Sequence, residues 1–522
     1  MTRVMIRWAM IGLSVWMSGF EKPTRAAPPD DLLTVAERSN FQATARHAEV
    51  VALCERLASR SPLVKLLEMG RSGEGWSLPL MVVANPPVAT PEQAKASGKL
   101  VVFLFGNIHA GEVCGKEALP ILVRELTDKP NHPLLKDLIL LVAPIVNADG
   151  NERVSKTNRP GQVGPIEGMG RRPNAAGLDL NRDFMKLEAP ETRALVRTLN
   201  EWDPALTVDT HTTNGSHHRY AITYEGPKNP AGDARLIAYS RDTLFPAVTG
   251  AFTKQTGRDA FFYGNFEGDH TRWTTYPSTP RFGTTYIGLR NRLAVLSEAY
   301  SYSPFDIRVH ATRDFCRNVC EYVADHQDAI RTLLEQARRT TTEAPAPRVA
   351  IRSRPRALPN KFLVLGFVER VENGRSVSTG EPKDYLCSVE EDFEPTLEVS
   401  RPAAYLIPAN QTKAVEVLQA HGITVNRLEK PESRAVTIDR IDAISRSARV
   451  FEGHQLLEVT ATTLRTEPRD CPAGMFLVPT AQPLGSLAVY LLEPRSDDGL
   501  ATWGFFDAEV TPGRDFPIGK GF

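Results

Sequence analysis

The chain has 522 residues, with 62 Lys+Arg balanced by 62 Asp+Glu, 42% hydrophobic and 24% charged residues. These globular values exclude a wholly disordered chain, and the zero net charge gives no global attraction to nucleic acid or an acidic membrane surface. At ~150 residues per domain the length suits about three domains, or one large and one medium, and it buries a core without disulfide staples.

Residues 1–27 read as a signal peptide. Arg3 and Arg7 form a basic start, Trp8 to Phe20 is an apolar run too short to span a bilayer, and Thr24-Arg25-Ala26-Ala27 offers small residues for cleavage. Export implies a periplasmic or secreted protein with no stable membrane insertion after cleavage. Export also permits disulfides, yet Cys54, Cys114, Cys316, Cys320, Cys387 and Cys471 are too few and scattered for a disulfide scaffold. Cys316 and Cys320 fall on one face of an expected helix and read as core packing.

From about 35 to 340, apolar runs alternate with helical patterns. Leu100–Phe105, Leu138–Ile145, Ala205–Val208 and Leu293–Leu296 read as buried strands, and helical periodicity fits 112–127, 188–201, 230–254 and 306–338. The expected class is therefore α/β: a mixed, largely parallel sheet with helices on both faces, whose site lies beyond the strand C-termini. Residues 341–360, rich in Pro, Thr and Arg, read as a linker. Residues 361–522 read as a smaller β-rich accessory domain with one helix at 411–421, so cleavage in the linker should release a folded, active fragment covering 28–340.

The candidate chemistry sits at strand ends. After the first buried strand, Gly106-Asn107-Ile108-His109-Ala110-Gly111-Glu112 places an imidazole and a carboxylate where both can turn to one point, and these are ligand types of a catalytic zinc. Alone, such a pair is equally a helix-capping Glu beside a surface His. His211, ending Val208-Asp209-Thr210-His211, would complete a three-ligand set with an open position for water; His217 and His218 are rivals further along the loop. Glu298 follows the strand Leu293–Leu296, and a carboxylate there belongs beside a cation or in a site. The Asn181-Arg182 pair offers amide and guanidinium donors suited to a carboxylate, unless Arg182 merely pairs with Asp179 or Asp183.

In this order, His109-x-x-Glu112, Asp179-Leu180-Asn181-Arg182, His211 and Glu298 resemble zinc metallocarboxypeptidases of the carboxypeptidase A type. Gly70-Arg71-Ser72-x-Glu74-Gly75 and Asn147-Ala148-Asp149-Gly150 look like two further motifs of that family. The resemblance covers about 60–345 and leaves 361–522 outside it. It implies a carboxypeptidase-like fold and one Zn²⁺ per chain held by His109, Glu112 and His211. It also implies Glu298 as the general base, Asn181 and Arg182 as the grip on a terminal carboxylate, and a peptide with a free C-terminus, or a peptidoglycan stem, as substrate. The family's oxyanion arginine falls in direct register on Gly164, so Arg171 or Arg172 substitutes, with Arg159 a third candidate; its active-site tyrosine is Tyr276 or Tyr286. Two rival readings share these residues: a zinc N-acyl amino acid hydrolase resembling the aspartoacylase and desuccinylase group, and a catalytically retired binding module.

Overall fold

The computed structural model describes residues 29–521 except 130, 344–347 and 373. The expected signal peptide lies outside the described residues. In chain order the first strands are β1 Val64–Arg71, β2 Ser77–Val83, β3 Leu100–Gly106, β4 Leu138–Ala143, β5 Leu206–Thr213, β6 Ile222–Glu225, β7 Ala260–Phe262, β8 Asn265–Glu267, β9 Arg272–Thr274 and β10 Leu293–Tyr300. Eight of them form one sheet in the order β1-β2-β4-β3-β5-β10-β6-β7. Its centre, β4-β3-β5-β10, is parallel, and β1, β2 and β6 add antiparallel pairings.

Every residue of β3, β4, β5 and β10 is buried, which is why their sequences run apolar without alternation until the chemistry-bearing ends. The helices Cys114–Thr127 and Phe305–Asp325 pack on each other and on the central strands. Their approach is close: a Cβ on Gly115 would meet Thr210 Oγ1 at 1.9 Å, so only glycine lets this helix seat against β5. The long helical pattern at 306–338 divides at His326, whose ring stacks on Tyr322, and a second helix runs Gln327–Thr342. Cys316 and Cys320 are buried in the first of these helices, and all six cysteines are free. No helix among the described residues is long and apolar enough to cross a membrane.

The expected linker is where the structure differs most. Residues Val349–Arg356 form a strand, β11, followed by β12 Lys361–Glu372, β13 Arg375–Glu390 and β14 Asp392–Val399. β11 pairs with β14, burying Val349, Ala350 and Ile351, while Arg354 and Arg356 form cross-strand ion pairs with Glu394 and Asp392. Composition made the arginines look unstructured, whereas cross-strand acids make them strand residues.

The β-rich half is not set apart from the first half. β13 pairs with β9, and one hydrophobic core joins Phe103, Leu206 and Val295 to Ile351, Tyr405, Leu487 and Trp503. Polar ties cross as well: Tyr286 Oη to His421 Nδ1 at 2.8 Å, and Arg281 to Asp498 at 2.8 Å. The helix expected at 411–421 is present as Thr412–Ala420.

Because this apolar surface is shared, a chain truncated after Thr342 should aggregate or lose cooperative unfolding. Expression of residues 29–342 with a thermal melt checks this; a soluble fragment with a sharp transition would mean that the two halves stand alone.

Candidate active site

Three central strands end at one place. Parallel pairing sets Gly106 of β3 beside Thr210 of β5, and His211 of β5 beside Glu298 of β10. Asn107, at φ 61°, turns the chain sharply after β3; Asn tolerates this left-handed conformation better than most residues. The turn brings His109 and Glu112 over the end of β5. His211 Nδ1 lies 3.1 Å from His109 Nδ1 and 2.9 Å from Glu112 Oε2, and His109 Nδ1 lies 3.2 Å from Glu112 Oε1. The potential ligand atoms of all three residues fall within 4.8 Å of one another, and all three residues are buried.

The donor set fits a zinc ion. Two imidazole nitrogens and a carboxylate point at one small volume, and the far nitrogen of each ring meets another carboxylate, as metal-bound histidines commonly require. His109 Nε2 lies 2.9 Å from Asp179 Oδ1. His211 Nε2 lies 2.8 Å from Asp209 Oδ2, although off-line, so neither Asp209 oxygen has a hydrogen-bond partner. The two rival histidines stay out of the cluster: His218 packs on Tyr300 with ring centroids 4.3 Å apart, and His217 on Tyr302 at 4.5 Å.

Electrostatics follows from enclosure. Burial alone would raise the Glu112 carboxyl, but His109 and Arg159 hold it well below the usual carboxylate range. Burial works against a charge on His211, and Asp209 and Glu112 more than compensate, lifting it well above an ordinary imidazole. Asp179 is likewise held low, against burial, by His109, Arg172 and Arg182. Glu298 behaves oppositely. Burial pushes its carboxyl up to about 7, with Glu112 adding to the rise and His211 and Arg159 opposing it. Its Oε2 has no hydrogen-bond partner. A buried carboxyl with an uncommitted oxygen and a value near neutrality suits proton transfer.

Of the arginine candidates, two reach the cluster. Arg159 Nη1 donates to Glu112 Oε1 at 2.9 Å, and its other nitrogens are committed to Gln162 and the Thr212 carbonyl. Arg172 holds Asp179 through Nε at 2.9 Å and reaches Glu112 Oε1 more loosely through Nη1 at 3.4 Å. Arg171 is exposed, with its backbone N–H on the Gly150 carbonyl. Gly164 has no side chain to offer.

The Asn181-Arg182 pair sits in a short turn, Leu180–Arg182, capped by Asp179. Asn181 Oδ1 accepts the Gly283 N–H at 2.8 Å, which leaves its Nδ2 as a donor. Arg182 pairs with neither Asp179 nor Asp183. Its guanidinium lies 4.2 Å over the Phe282 ring and donates to the Asn181 carbonyl, with no carboxylate at ion-pair distance among the described residues. Asp183 is taken by Lys186 and two backbone N–H groups.

The two tyrosine candidates separate. Tyr286 is fully buried, bonded to His421 and Arg290, and belongs to the core. Its place in the site is thereby corrected: the helix Gly283–Leu289 turns it away from the metal cluster and into the β-rich half. Tyr276 packs against Phe282, with ring centroids 4.6 Å apart, and Arg182 lies over the same Phe282 ring. A third tyrosine, Tyr263, escaped the sequence reading. It packs on Tyr276 and lies within the fields of Glu298 and Glu112, and burial together with these charges raises its phenol. Its only sequence signal was its position directly after β7.

The two remaining motifs act as scaffolding. Ser72 Oγ donates to Asp149 Oδ1 at 2.5 Å, and Asn147 Nδ2 donates to the carbonyls of Ile108 and Arg172, bracing the His109 loop.

The zinc carboxypeptidase family model matches residues 50–278, a span that contains His109, Glu112, His211 and the Asn181-Arg182 pair and ends before Glu298. The chain is similar to Carboxypeptidase 2 of Trichophyton rubrum, at 23% identity over 89% of this chain and 84% of the relative. That match necessarily reaches into the β-rich half. A shorter match, 32% identical, is to Carboxypeptidase D of Mus musculus, over 27% of this chain and 12% of the relative. Among solved structures, a metallo-carboxypeptidase from Pseudomonas aeruginosa overlays with a TM-score of 0.39 and 20% identity, over 55% of this chain and 69% of that chain.

Glu298 sets a pH dependence in the metal-free chain. With its carboxyl raised from 4.5 to about 7, the fold keeps a proton that the unfolded chain has lost. That contribution to stability is complete below the unfolded value and is lost as pH rises through about 7, on the order of 3 kcal/mol. Urea unfolding of metal-free protein at pH 5 and pH 8 should therefore show a larger loss for wild type than for Glu298→Gln, which carries no such proton; equal losses would place the carboxyl in an ordinary environment.

Proposed function

We propose that the chain, whose residues 50–278 match the zinc carboxypeptidase family model and which is similar to Carboxypeptidase 2 along most of its length, is a peptide hydrolase that removes the C-terminal residue from peptides bearing a free carboxylate. The observation that carries this reading is the partially buried Arg182 guanidinium, free of any carboxylate among the described residues, in the same site as the His109–Glu112–His211 cluster and Glu298. An unpaired guanidinium fork awaits an anion, and a terminal carboxylate matches it in charge and shape.

In this reading His109, Glu112 and His211 hold one zinc per chain. The ion, when bound, supplies Lewis acidity that polarises the scissile carbonyl and eases deprotonation of the attacking water. Glu298 takes the proton from that water and returns it to the leaving amine, a sequence suited to a carboxyl poised near neutral pH. Arg172 faces the developing oxyanion, since its Nη1 is loosely held whereas Arg159 is fully engaged in fixing Glu112. Arg182 and the Asn181 Nδ2 grip the substrate carboxylate, and Tyr276 with Tyr263 walls the clamp side. The N-terminal apolar run supports export, so the substrates are extracytoplasmic peptides or peptidoglycan stems.

The metal assignment predicts that His109→Ala and His211→Ala lose bound zinc on elemental analysis, whereas Glu298→Gln keeps it and loses roughly 10²–10⁴-fold in kcat. Zinc retained at full occupancy by either His variant would remove that ligand from the set.

The clamp tests the exopeptidase reading itself. Arg182→Ala should lower kcat/KM for free-carboxylate peptides on the order of 10²–10³-fold with zinc retained, and Lys should restore little. C-terminal amidation of the substrate should erase the difference between wild type and variant. Equal cleavage of free and amidated peptides by wild type would make the protein an endopeptidase or amidase, and preference for an N-acyl amino acid would make it an acylase.

A further inference from the structure

The carboxylate clamp is held from outside the first half of the chain. In the β-rich half, the strands Asp439–Arg446 and Leu457–Thr463 pair with each other, and the segment between them folds back towards residues 179–188. Phe451 and His454 exchange backbone hydrogen bonds at 2.8 and 3.0 Å around Glu452-Gly453, whose φ angles are 49° and 82°. Gly453 takes such an angle freely. Glu452 does not, and a non-glycine residue kept in this conformation is held there by its surroundings.

Those surroundings are on the catalytic side. Glu452 Oε2 accepts the backbone N–H of Asp179 at 2.7 Å. His454 Nε2 meets Glu188 Oε1 at 2.8 Å. The Arg281 guanidinium lies over the rings of both Phe451 and Trp503, at 5.3 and 4.9 Å, and Lys186 lies 5.4 Å over Trp503. The turn thus touches the segment that carries the clamp at Asp179 and at Glu188, and Arg281 covers its Phe451 ring.

Asp179 is the point where this matters. Its carboxylate is already spent on His109, Arg172 and the Asn181 N–H. Its own N–H goes to Glu452, and its carbonyl accepts the Arg182 N–H at 2.9 Å, closing the turn that presents Asn181 and Arg182. The Glu452 carboxylate also attracts the Arg182 guanidinium across the site.

We propose that Glu452 is a positioning residue for substrate-carboxylate recognition: through the Asp179 N–H it holds the Asp179–Arg182 turn at the depth a terminal carboxylate requires, so the β-rich half supplies part of the specificity of the site. This rests on the carboxypeptidase reading above and deepens it.

The test uses the full zinc-loaded chain, one N-blocked peptide as free acid and as C-terminal amide, and two variants. Glu452→Asp keeps the charge and suits the left-handed conformation, but its carboxylate is one methylene too short to reach Asp179. Glu452→Gln keeps an oxygen at full reach and so keeps the hydrogen bond. The Asp variant should raise KM for the free acid about ten-fold with kcat and zinc content unchanged, and the Gln variant should stay within about three-fold of wild type. Unchanged KM in the Asp variant, or a fall in kcat or zinc content without a KM effect, overturns the proposal; so does a Gln variant as impaired as Asp, since charge rather than the hydrogen bond would then act. If wild type cleaves acid and amide equally, the carboxypeptidase reading fails first and the proposal falls with it.

Discussion

Glu112 is a carboxylate almost wholly removed from water, and much of the catalytic half can be understood as what makes that tolerable. An enclosed carboxylate costs several kcal/mol unless donors and positive charge surround it. Here His109, His211, Arg159, Arg172 and the Thr212 N–H all address it. They come from the loop after β3, the end of β5 and the stretch 153–179, so the sheet, the left-handed Asn107 and the close seat of Gly115 are all conditions for one charge to be buried. The same enclosure leaves Glu298 with no full complement of partners, and its carboxyl rises instead of falling. Two carboxylates on either side of β5 thereby acquire opposite proton affinities from their surroundings alone.

Behind the ligands stands a second layer of acids, Asp179 and Asp209, one for each histidine. Three buried carboxylates around two imidazoles, only partly offset by Arg159 and Arg172, leave an excess of negative charge that favours a divalent cation at the point where the ring nitrogens meet. Asp179 has the heavier duty. It meets His109, anchors Arg172 and begins the turn that carries Asn181 and Arg182, so the His109–Glu112–His211 cluster and that turn are joined in one residue.

The two sides are nevertheless built differently. The metal side sits on parallel strand ends deep in a sheet, where register sets positions rigidly. The clamp side is made of loops and a short helix, and these are braced by the β-rich half through Glu452, His454, Trp503, His421 and Asp498. Loops without a sheet beneath them need such bracing to hold a guanidinium in place. The continuous core and the β9–β13 pairing make the bracing part of one body, not a hinge between two.

The sequence by itself determined where the chemistry begins. His109, Glu112, His211 and Glu298 stood out as candidates because each follows a continuous apolar run that reads as a buried strand, and their order along the chain, not any one of them alone, set them apart from a capping Glu or a surface His. The choices among neighbours were decided only by tertiary structure. Arg171 and Arg172 are adjacent and chemically identical, and only the chain path turns one inward. Tyr286 looked as eligible as Tyr276 until His421, 135 residues later, claimed its hydroxyl. The 341–360 segment read as a linker because Pro, Thr and Arg dominate it; the acids that pair with Arg354 and Arg356 across the strands lie some 36 to 40 residues away. Glu452 gave no signal at all, since its contact spans 273 residues. Local pattern encodes burial and periodicity, whereas pairing of one polar group with another is set by which distant segments the core brings together.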